Sequence, residues 1–471
     1  MRKSKILCTI GPSTAGLDNL IKLVDKGMNA ARLNFSHGEH KEHLKTIKDL
    51  RKVEKITGKT IAIIQDLQGP KIRTGKVKDD GVLLKDNDDF IITIEDIGIG
   101  NNKKVATSYK NLINEVKPGN TILLDDGYLI LNVVKVDDKN IYTKVVKGGI
   151  LKNHKGIITP GVASEAPSLS EKDIDDLKFG LKEGVDMVAI SFVRSKMDVI
   201  ELRATMKVLG RTVPIISKIE RYEAVEDIVD IIKESDAIMI ARGDLGLEMP
   251  AEQVPVLQKE IIKKCNYYGK PVIIATQMLE SMINNPRPTR AEASDVANAI
   301  IDGGDCVMLS AETSVGKYPF DAVEYMDKII KIVEDKYMND KGDYDKDYFS
   351  NFIISEALGR TACVLADKIK AKAIVTITNT GYTALNISKF KPVQPVIAFT
   401  NNDEAAHFFS IVRCIIPNTD KISGVNTNQN EEMSKQLLKY DFLNEGDYVI
   451  FVSGLSAGEL QPDNNIHIYQ I

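Results

Sequence analysis

Short apolar runs rich in β-branched residues recur along the chain, and between them apolar positions return every three or four residues. The runs at 5–10, 30–35 and 61–66 predict strands, with an amphipathic helix over 17–26 closing on Gly27 and a long charged helix over 39–57 closing on Gly58. From 70 to about 166 the rhythm changes. Alternating runs such as 90–94 and 142–146 lie among the turn pairs Asp80-Gly81, Pro118-Gly119, Asp126-Gly127 and Gly148-Gly149, which predicts an inserted all-β module. Helix-period patterning resumes at Ser170-Glu171-Lys172-Asp173 and runs to 183. Strands are then predicted at 187–192, 214–220, 237–241, 271–276 and 305–310, alternating with helices at 196–209, 223–234, 254–268, 291–301 and 322–337. Eight strand–helix units make the fold class α/β, a (β/α)8 TIM barrel interrupted by the β module. The polar stretch 335–347 reads as a linker. Beyond it, a helix near 353–368 and strands at 373–378, 395–400, 448–453 and 466–471 predict a smaller C-terminal α/β domain. The expected division is 1–69 and 167–340 for the barrel, 70–166 for the insert and 341–471 for the last domain.

Bulk properties narrow the function. At 471 residues there is length for about three domains with their own cores. With 43% apolar and 27% charged residues, the chain reads as an ordinary soluble globular protein rather than a disordered one. No run approaches the length of a membrane span and no signal peptide is expected before the first strand, so the expected place is the cytoplasm, with no membrane partner. A net charge of -4 argues against a nucleic-acid partner, although a local basic patch can still hold nucleotide phosphates. The five cysteines (Cys8, Cys265, Cys306, Cys363, Cys414) are scattered and never spaced as metal ligands, which predicts reduced core thiols.

The candidate chemistry lies where the strands end. The runs at 215–220 and 238–246 are apolar and then abruptly charged, through Lys218 and Glu220 in the first and Arg242 and Asp244 in the second. In a parallel barrel the carboxyl ends of the strands hold the ligand site. Strand two exits through Arg32, Asn34, Phe35, Ser36 and His37, and strand three through Asp66, Gly69, Lys71 and Arg73. Strand seven exits through Thr276 and Gln277, and strand eight through Ser310 and Glu312. Polar residues end strands wherever they meet water, but six charged or hydroxyl-bearing ends of eight favour one site. Glu220 and Asp244 offer hard oxygen ligands suited to Mg2+, or else pair with Lys218 and Arg242 in a structural ion network. Lys218 is suited to neutralising a transferring phosphoryl group or an enolate oxygen, and Arg32 and Arg73 offer planar forks for phosphate. His37 reads as a solvated or structural contact. Neither a Walker-A loop nor a kinase Gly-rich loop is present. In the last domain, Thr378-Asn379-Thr380-Gly381-Tyr382-Thr383 joins a strand to a helix, as a phosphate nest or as an ordinary cap.

With these motifs in order, the chain resembles the pyruvate kinase family over essentially its whole length. VPIISKIERYEAV at 213–225 is similar to that family's active-site signature. RLNFSHG at 32–38, GPKIRTG at 69–75, SEKD at 170–173, ARGDLG at 241–246, ATQMLESM at 275–282 and LSAET at 309–313 follow in family order. The resemblance implies a barrel, an inserted β lid and a C-terminal effector domain, assembled as a homotetramer. It implies phosphoryl transfer from phosphoenolpyruvate to ADP, giving pyruvate and ATP. It places Mg2+ on Glu220 and Asp244 and gives Lys218, Thr276 and Arg32 catalytic roles, with Gly243 and Asp244 also on the substrate. Asn34, Phe35, Ser36, His37, Arg73 and Lys155 are implied for the nucleotide. A monovalent-cation pocket is implied at Asn34, Ser36, Asp66 and the Leu67 carbonyl, and a phosphorylated small-molecule effector at Thr378, Asn379, Thr380, Gly381 and Thr383. Lys71 stands where potassium-requiring members carry glutamate, so K+ is expected to bind at most without being required. The turn at 453–459 follows the effector-loop ending only loosely, and no extra phosphohistidine-like domain is expected. Two other readings remain open at this point. One is a magnesium-dependent lyase acting on a pyruvate enolate, which needs no lid bearing Arg73. The other is a sugar-phosphate-binding regulatory protein with an inactive barrel, against which the intact Lys218, Glu220 and Asp244 count.

Overall fold

The computed structural model describes residues 1–337, 354–420, 429–453 and 465–471. Eight parallel strands close a barrel: Lys5–Thr9, Ala30–Asn34, Ala62–Asp66, Met187–Ile190, Ile215–Ile219, Ala237–Ala241, Val272–Ala275 and Cys306–Leu309. Each pairs with the next in sequence, and the first closes on the eighth, with Lys5 opposite Cys306 and Cys8 opposite Leu309.

Side chains alternate along every strand, so each strand serves two cores. Ile6, Leu33, Ile63, Val188, Ile219, Ile240 and Leu309 pack outward under the helices. Leu7, Ala30, Ile64, Ala189, Ile216, Met239 and Met308 fill the barrel. A fully buried side chain of this size contributes about 1.5–3 kcal/mol. Continuing the inward set in steps of two reaches Arg32, Asp66, Ser191, Lys218 and Glu220 at the carboxyl ends. That alternation delivers charge to one mouth of an otherwise apolar cylinder.

The outer helices start where the sequence offers reciprocal caps. Ser170 and Asp173 cap the helix Glu171–Glu183, and Thr289 and Glu292 cap Arg290–Ile301, each side chain accepting the other residue's backbone N–H. Gly58 ends the helix His40–Thr57 in a left-handed conformation, φ 66°, which an L side chain adopts only with strain.

The insert is antiparallel for the most part, with a six-stranded sheet and two small strand pairs over Lys76–Val77 to Ile157–Ile158. Phe90, Ile92, Ile122, Leu131, Ile141 and Val145 form its own core. Its two connections to the barrel run side by side. Arg73 bridges Gly156, and the Thr74 N–H donates to the Lys155 carbonyl at 2.8 Å. In the C-terminal domain, strands at Ala373–Ile377, Val396–Phe399, Ile415–Asn418 and Tyr448–Ser453 are parallel, and Asn465–Gln470 adds an antiparallel edge. Polar contacts join this domain to the barrel, among them an ion pair of Lys391 with Asp305 at 2.6 Å and a hydrogen bond from Lys5 to the Ile415 carbonyl at 2.7 Å.

Several expectations need correction. The helix expected over 223–234 is two, Tyr222–Glu226 and Ile228–Glu234, broken at Asp227. The Asp227 carboxylate accepts the Lys196 N–H at 2.9 Å, tying the break to the neighbouring helix. A short helix that was not expected, Arg242–Glu248, follows the sixth strand directly. The closing barrel helix spans Pro319–Tyr337, so the expected linker begins inside it, and the remainder of 335–347 lies outside the described residues. The strand Ile415–Asn418 was not expected: Pro417 and Asn418 look like turn residues but sit on a sheet edge, where a missing N–H is tolerated. The turn at 453–459 lies outside the described residues after Ser453. All five cysteines are buried and free, and burial pushes the Cys8, Cys265 and Cys306 thiols far up, so none is a reactive thiolate. Among the described residues no helix is long and apolar enough to cross a membrane.

Candidate active site

At the carboxyl mouth, four charges from three strands meet out of water. Lys218 Nζ lies 3.0 Å from Glu220 Oε1 and 3.4 Å from Asp66 Oδ1, and donates to Ser191 Oγ at 2.7 Å. Arg32 Nε donates to Asp66 Oδ2 at 2.6 Å, and its Nη1 reaches Thr9 Oγ1 at 3.1 Å. Two cations and two carboxylates make the group neutral, and this is what makes burial of all four tolerable. Burial alone would lower the Lys218 pKa; Asp66 and then Glu220 outweigh it and hold it above its ordinary value. Burial would raise Asp66, but Lys218 and Arg32 hold it below the usual carboxylate range. Glu220 goes the other way: burial, reinforced by Asp244, outweighs Lys218 and raises it. Lys218 is therefore a fixed cation, and Glu220 and Asp244 repel each other until positive charge comes between them.

Asp244, on the first turn of Arg242–Glu248, makes no hydrogen bond or ion pair among the described residues and lines the same lid–barrel cavity as Glu220. A free carboxylate beside a raised one is the donor set of a hard divalent cation. No cluster of three or more metal-binding side chains occurs among the described residues, so such an ion would keep water or substrate oxygens, as Mg2+ does. Lys71 and Asp126 of the insert line that cavity from above.

The seventh strand contributes strain. Thr276 has φ 68° and Gln277 φ 55°, consecutive left-handed residues of which the first is β-branched. Arg242 holds the turn through the Thr276 carbonyl at 2.8 Å, with Asp295 behind it at 2.7 Å. The turned Thr276 hydroxyl accepts the Gly243 N–H at 2.8 Å and donates to the Ala275 carbonyl at 2.6 Å. A Cβ on Gly243 would sit 3.3 Å from that hydroxyl oxygen, close enough that the hydroxyl would have to give way.

The remaining expected residues fall into three places. Asn34 Oδ1 accepts the Ser36 N–H at 3.1 Å, and the Leu67 carbonyl accepts Ser191 Oγ–H at 2.8 Å beside Asp66. Asn34 and His37 border a cavity of about 530 Å3 between Pro12, the helix His40–Thr57 and Val315. Phe35 is buried and stacks on His43 at 4.0 Å, while the His43 ring contacts the His37 carbonyl at 3.0 Å. Arg73 makes no side-chain hydrogen bond or ion pair among the described residues, and Lys155 pairs with Asp125 at 2.8 Å. In the C-terminal domain, Thr378 Oγ1 accepts the Gly381 N–H at 3.0 Å and Thr380 Oγ1 the Tyr382 N–H at 3.4 Å, hydroxyl turns that lead into the helix Tyr382–Ser388, whose N-cap is Gly381 with no side-chain cap. Thr383 is buried one turn on, and Asn379 is exposed.

Sequence reasoning missed Ser191, Phe192 and Glu248. Phe192 is left-handed, φ 56°, and donates its N–H to Glu220 Oε2 at 2.7 Å. The signal was present in the fourth strand, whose exit, Ser191-Phe192-Val193-Arg194, breaks an apolar run as the other site strands do. Glu248 ends the helix whose first turn bears Asp244, and burial, then Glu223 and Asp244 against Arg221, pushes it up to about 7.

Known proteins resemble the chain along its whole length. The family model described as "Pyruvate kinase, barrel domain" matches residues 1–323, and "Pyruvate kinase, alpha/beta domain" matches 356–469. The chain is 42% identical to the pyruvate kinases of Bacillus licheniformis and Geobacillus stearothermophilus, over 100% of its own length and 81% and 80% of theirs. To that of Corynebacterium glutamicum it is 41% identical over 99% of its length and 97% of the relative's. A crystal structure of a pyruvate kinase from Cryptosporidium parvum superposes with a TM-score of 0.93 at 38% identity, covering 100% of this chain and 96% of that one. Nothing among these matches supports a lyase. The chain belongs to the pyruvate kinase family.

Proposed function

We propose that Lys218, Arg32, Thr276, Glu220 and Asp244 carry the transfer of a phosphoryl group from phosphoenolpyruvate to ADP, giving pyruvate and ATP. The observation that carries this reading is the buried, charge-balanced group of Arg32, Asp66, Lys218 and Glu220 beside an unpaired Asp244. Lys218 keeps its proton and aims a cation at the bridging and enolate oxygens, where negative charge grows as the P–O bond breaks. Arg32 and the Gly243 N–H orient the substrate, the latter once Thr276 releases it. The Thr276 hydroxyl belongs to the relay that delivers a proton to the enolate carbon, and the resulting ketone makes transfer to ADP favourable. Magnesium, held by Glu220 and Asp244 when bound, supplies Lewis-acid stabilisation of phosphoryl oxygens. The insert, 70–166, acts as a lid that excludes water, with Arg73 and Lys155 reaching the nucleotide phosphates. Asn34, Phe35, Ser36 and His37 shape the nucleotide site, and the cavity beside Pro12 and Glu42 has room for the base.

The chain is further read as cytoplasmic and homotetrameric, and its need for K+ sets a test of the whole assignment. Lys71 carries a tethered single positive charge on the lid rim of the cavity. Asp66 and the Leu67 carbonyl already accept from Arg32, Lys218 and Ser191. Pyruvate release is expected to require both ADP and Mg2+, and to stay near its full rate in tetramethylammonium buffer lacking K+ and NH4+, at constant ionic strength. Lys71→Glu is expected to acquire K+ dependence. A wild-type rate that falls about tenfold or more without K+, some 1.4 kcal/mol, removes Lys71 as the substitute.

The C-terminal domain, 341–471, is read as regulatory, with a phosphorylated sugar or nucleotide at Thr378, Asn379, Thr380, Gly381 and Thr383. The support is a hydroxyl-rich turn leading into the helix Tyr382–Ser388. Calorimetry with sugar phosphates and nucleoside monophosphates is expected to find a ligand that lowers the phosphoenolpyruvate concentration needed and is lost in Thr380→Ala. No binding, or binding untouched by that substitution, removes the site.

A further inference from the structure

Residues 159–168 return the chain from the lid to the barrel, and two guanidiniums hold that stretch: Arg194 Nη1 donates to the Ser164 carbonyl at 2.6 Å, and Arg221 holds it beside the metal-binding strand end. Arg221, one residue past Glu220, is buried and donates from Nη2 to the Val162 carbonyl at 2.9 Å. The same side chain makes a fork to Glu223, with both N···O distances at 3.0 Å, and its Nη1 lies 3.2 Å from Glu248 Oε1. Among the described residues Glu248 Oε2 is buried without a hydrogen-bond partner, so Arg221 is what fixes that carboxylate. The lid also comes close to the helix Arg242–Glu248 at Gly127, where a Cβ would sit 3.3 Å from the Leu247 side chain. Arg221 thus links three parts: the strand end bearing Glu220, the helix bearing Asp244, and the lid's return connector.

We propose that Arg221 is a positioning residue that clasps the lid connector to the metal-binding side of the barrel and so keeps water from competing with ADP. This rests on the phosphoryl-transfer reading above. In the competing reaction the enol-phosphate P–O bond breaks, a water oxygen bonds to phosphorus, and the water's proton passes to solvent. Inorganic phosphate then appears in place of ATP while pyruvate still forms. Only a planar fork serves all three partners at once; a lysine ammonium at the same position keeps the charge but cannot span them. A purely local role, capping the helix Tyr222–Glu226 through Glu223, would lower thermal stability and leave the lid alone.

The test compares the wild type with Arg221→Lys and Glu248→Gln by two readouts. One is the ratio of inorganic phosphate to ATP formed from phosphoenolpyruvate with ADP and Mg2+; the other is amide hydrogen exchange over 160–166. In Arg221→Lys the ratio is expected to rise about fivefold, and exchange of the connector amides about tenfold, with the barrel strands unchanged. Glu248→Gln, which keeps shape and removes charge, is expected to move both in the same direction by less. Wild-type exchange in Arg221→Lys overturns the clasp, and faster exchange with an unchanged ratio overturns its role against water. If the wild type itself makes no ATP, the functional reading fails, while the exchange result still judges the clasp.

Discussion

Lys218→Met is expected to lower kcat by roughly two to four powers of ten, about 3–5 kcal/mol of transition-state stabilisation. The loss should fall on kcat and kcat/KM together, because the ammonium meets its full counter-charge only as the P–O bond breaks. Methionine has nearly the right length and no charge, so the cavity stays filled. Asp66 keeps Arg32 at 2.6 Å, whereas Glu220 is left, among the described residues, with the Phe192 N–H. Glu220 should then rise further in pKa, and the loss of activity should be steeper at low pH, where that carboxylate takes a proton. Circular dichroism establishes that the variant is folded, and pyruvate release measures the rate. An unchanged kcat in the folded variant would end the assignment of Lys218.

The second large effect separates the two metal carboxylates. Among the described residues Asp244 makes no hydrogen bond or ion pair that an amide would break, so Asp244→Asn should act through charge alone, on the metal and on Glu220. Its Mg2+ activation constant is expected to rise about tenfold or more while kcat at saturating Mg2+ recovers substantially. Glu220 also holds Lys218 at 3.0 Å and the left-handed Phe192 turn at 2.7 Å. Glu220→Gln should therefore lose kcat that no Mg2+ concentration restores. Titration calorimetry with Mg2+ alone gives the same ranking without turnover. Two variants with wild-type metal affinity would place the ion elsewhere.

How much of this was legible in the sequence depends on how local each signal is. The barrel strands were legible because β-branched runs of five or six residues need no partner to be recognised, and their count predicted closure. Lys218 and Glu220 were legible because charge ends an apolar run, and their spacing of two puts both inside. Ser191 was not, since a lone hydroxyl acquires meaning only when the barrel brings Lys218 within 2.7 Å. The reversed backbone at Thr276 was also hidden: threonine disfavours φ 68°, and contacts from a neighbouring strand's exit, Arg242 and the Gly243 N–H, hold it there. The break at Asp227 escaped because the apolar period runs through it undisturbed, while the cause is a backbone N–H from Lys196, 31 residues earlier. The cavity beside Pro12 joins the first strand's exit to the helix His40–Thr57 and to Val315, three segments with no shared sequence pattern.

The order of strands around the barrel has a consequence for how the chain is made. The first strand pairs on one side with the second, Leu7 opposite Ala30, soon after both are synthesised. Its other edge waits for Cys306. The third strand waits in the same way for Met187, because the whole insert is translated between them. At about 5–20 residues per second, the first strand leaves the ribosome roughly 15–60 s before its last neighbour exists. Throughout that interval two apolar strand edges are open to any other extended chain. Nascent chains truncated before Cys306 should therefore bind holdase chaperones or aggregate, and release of the complete chain should end both at once.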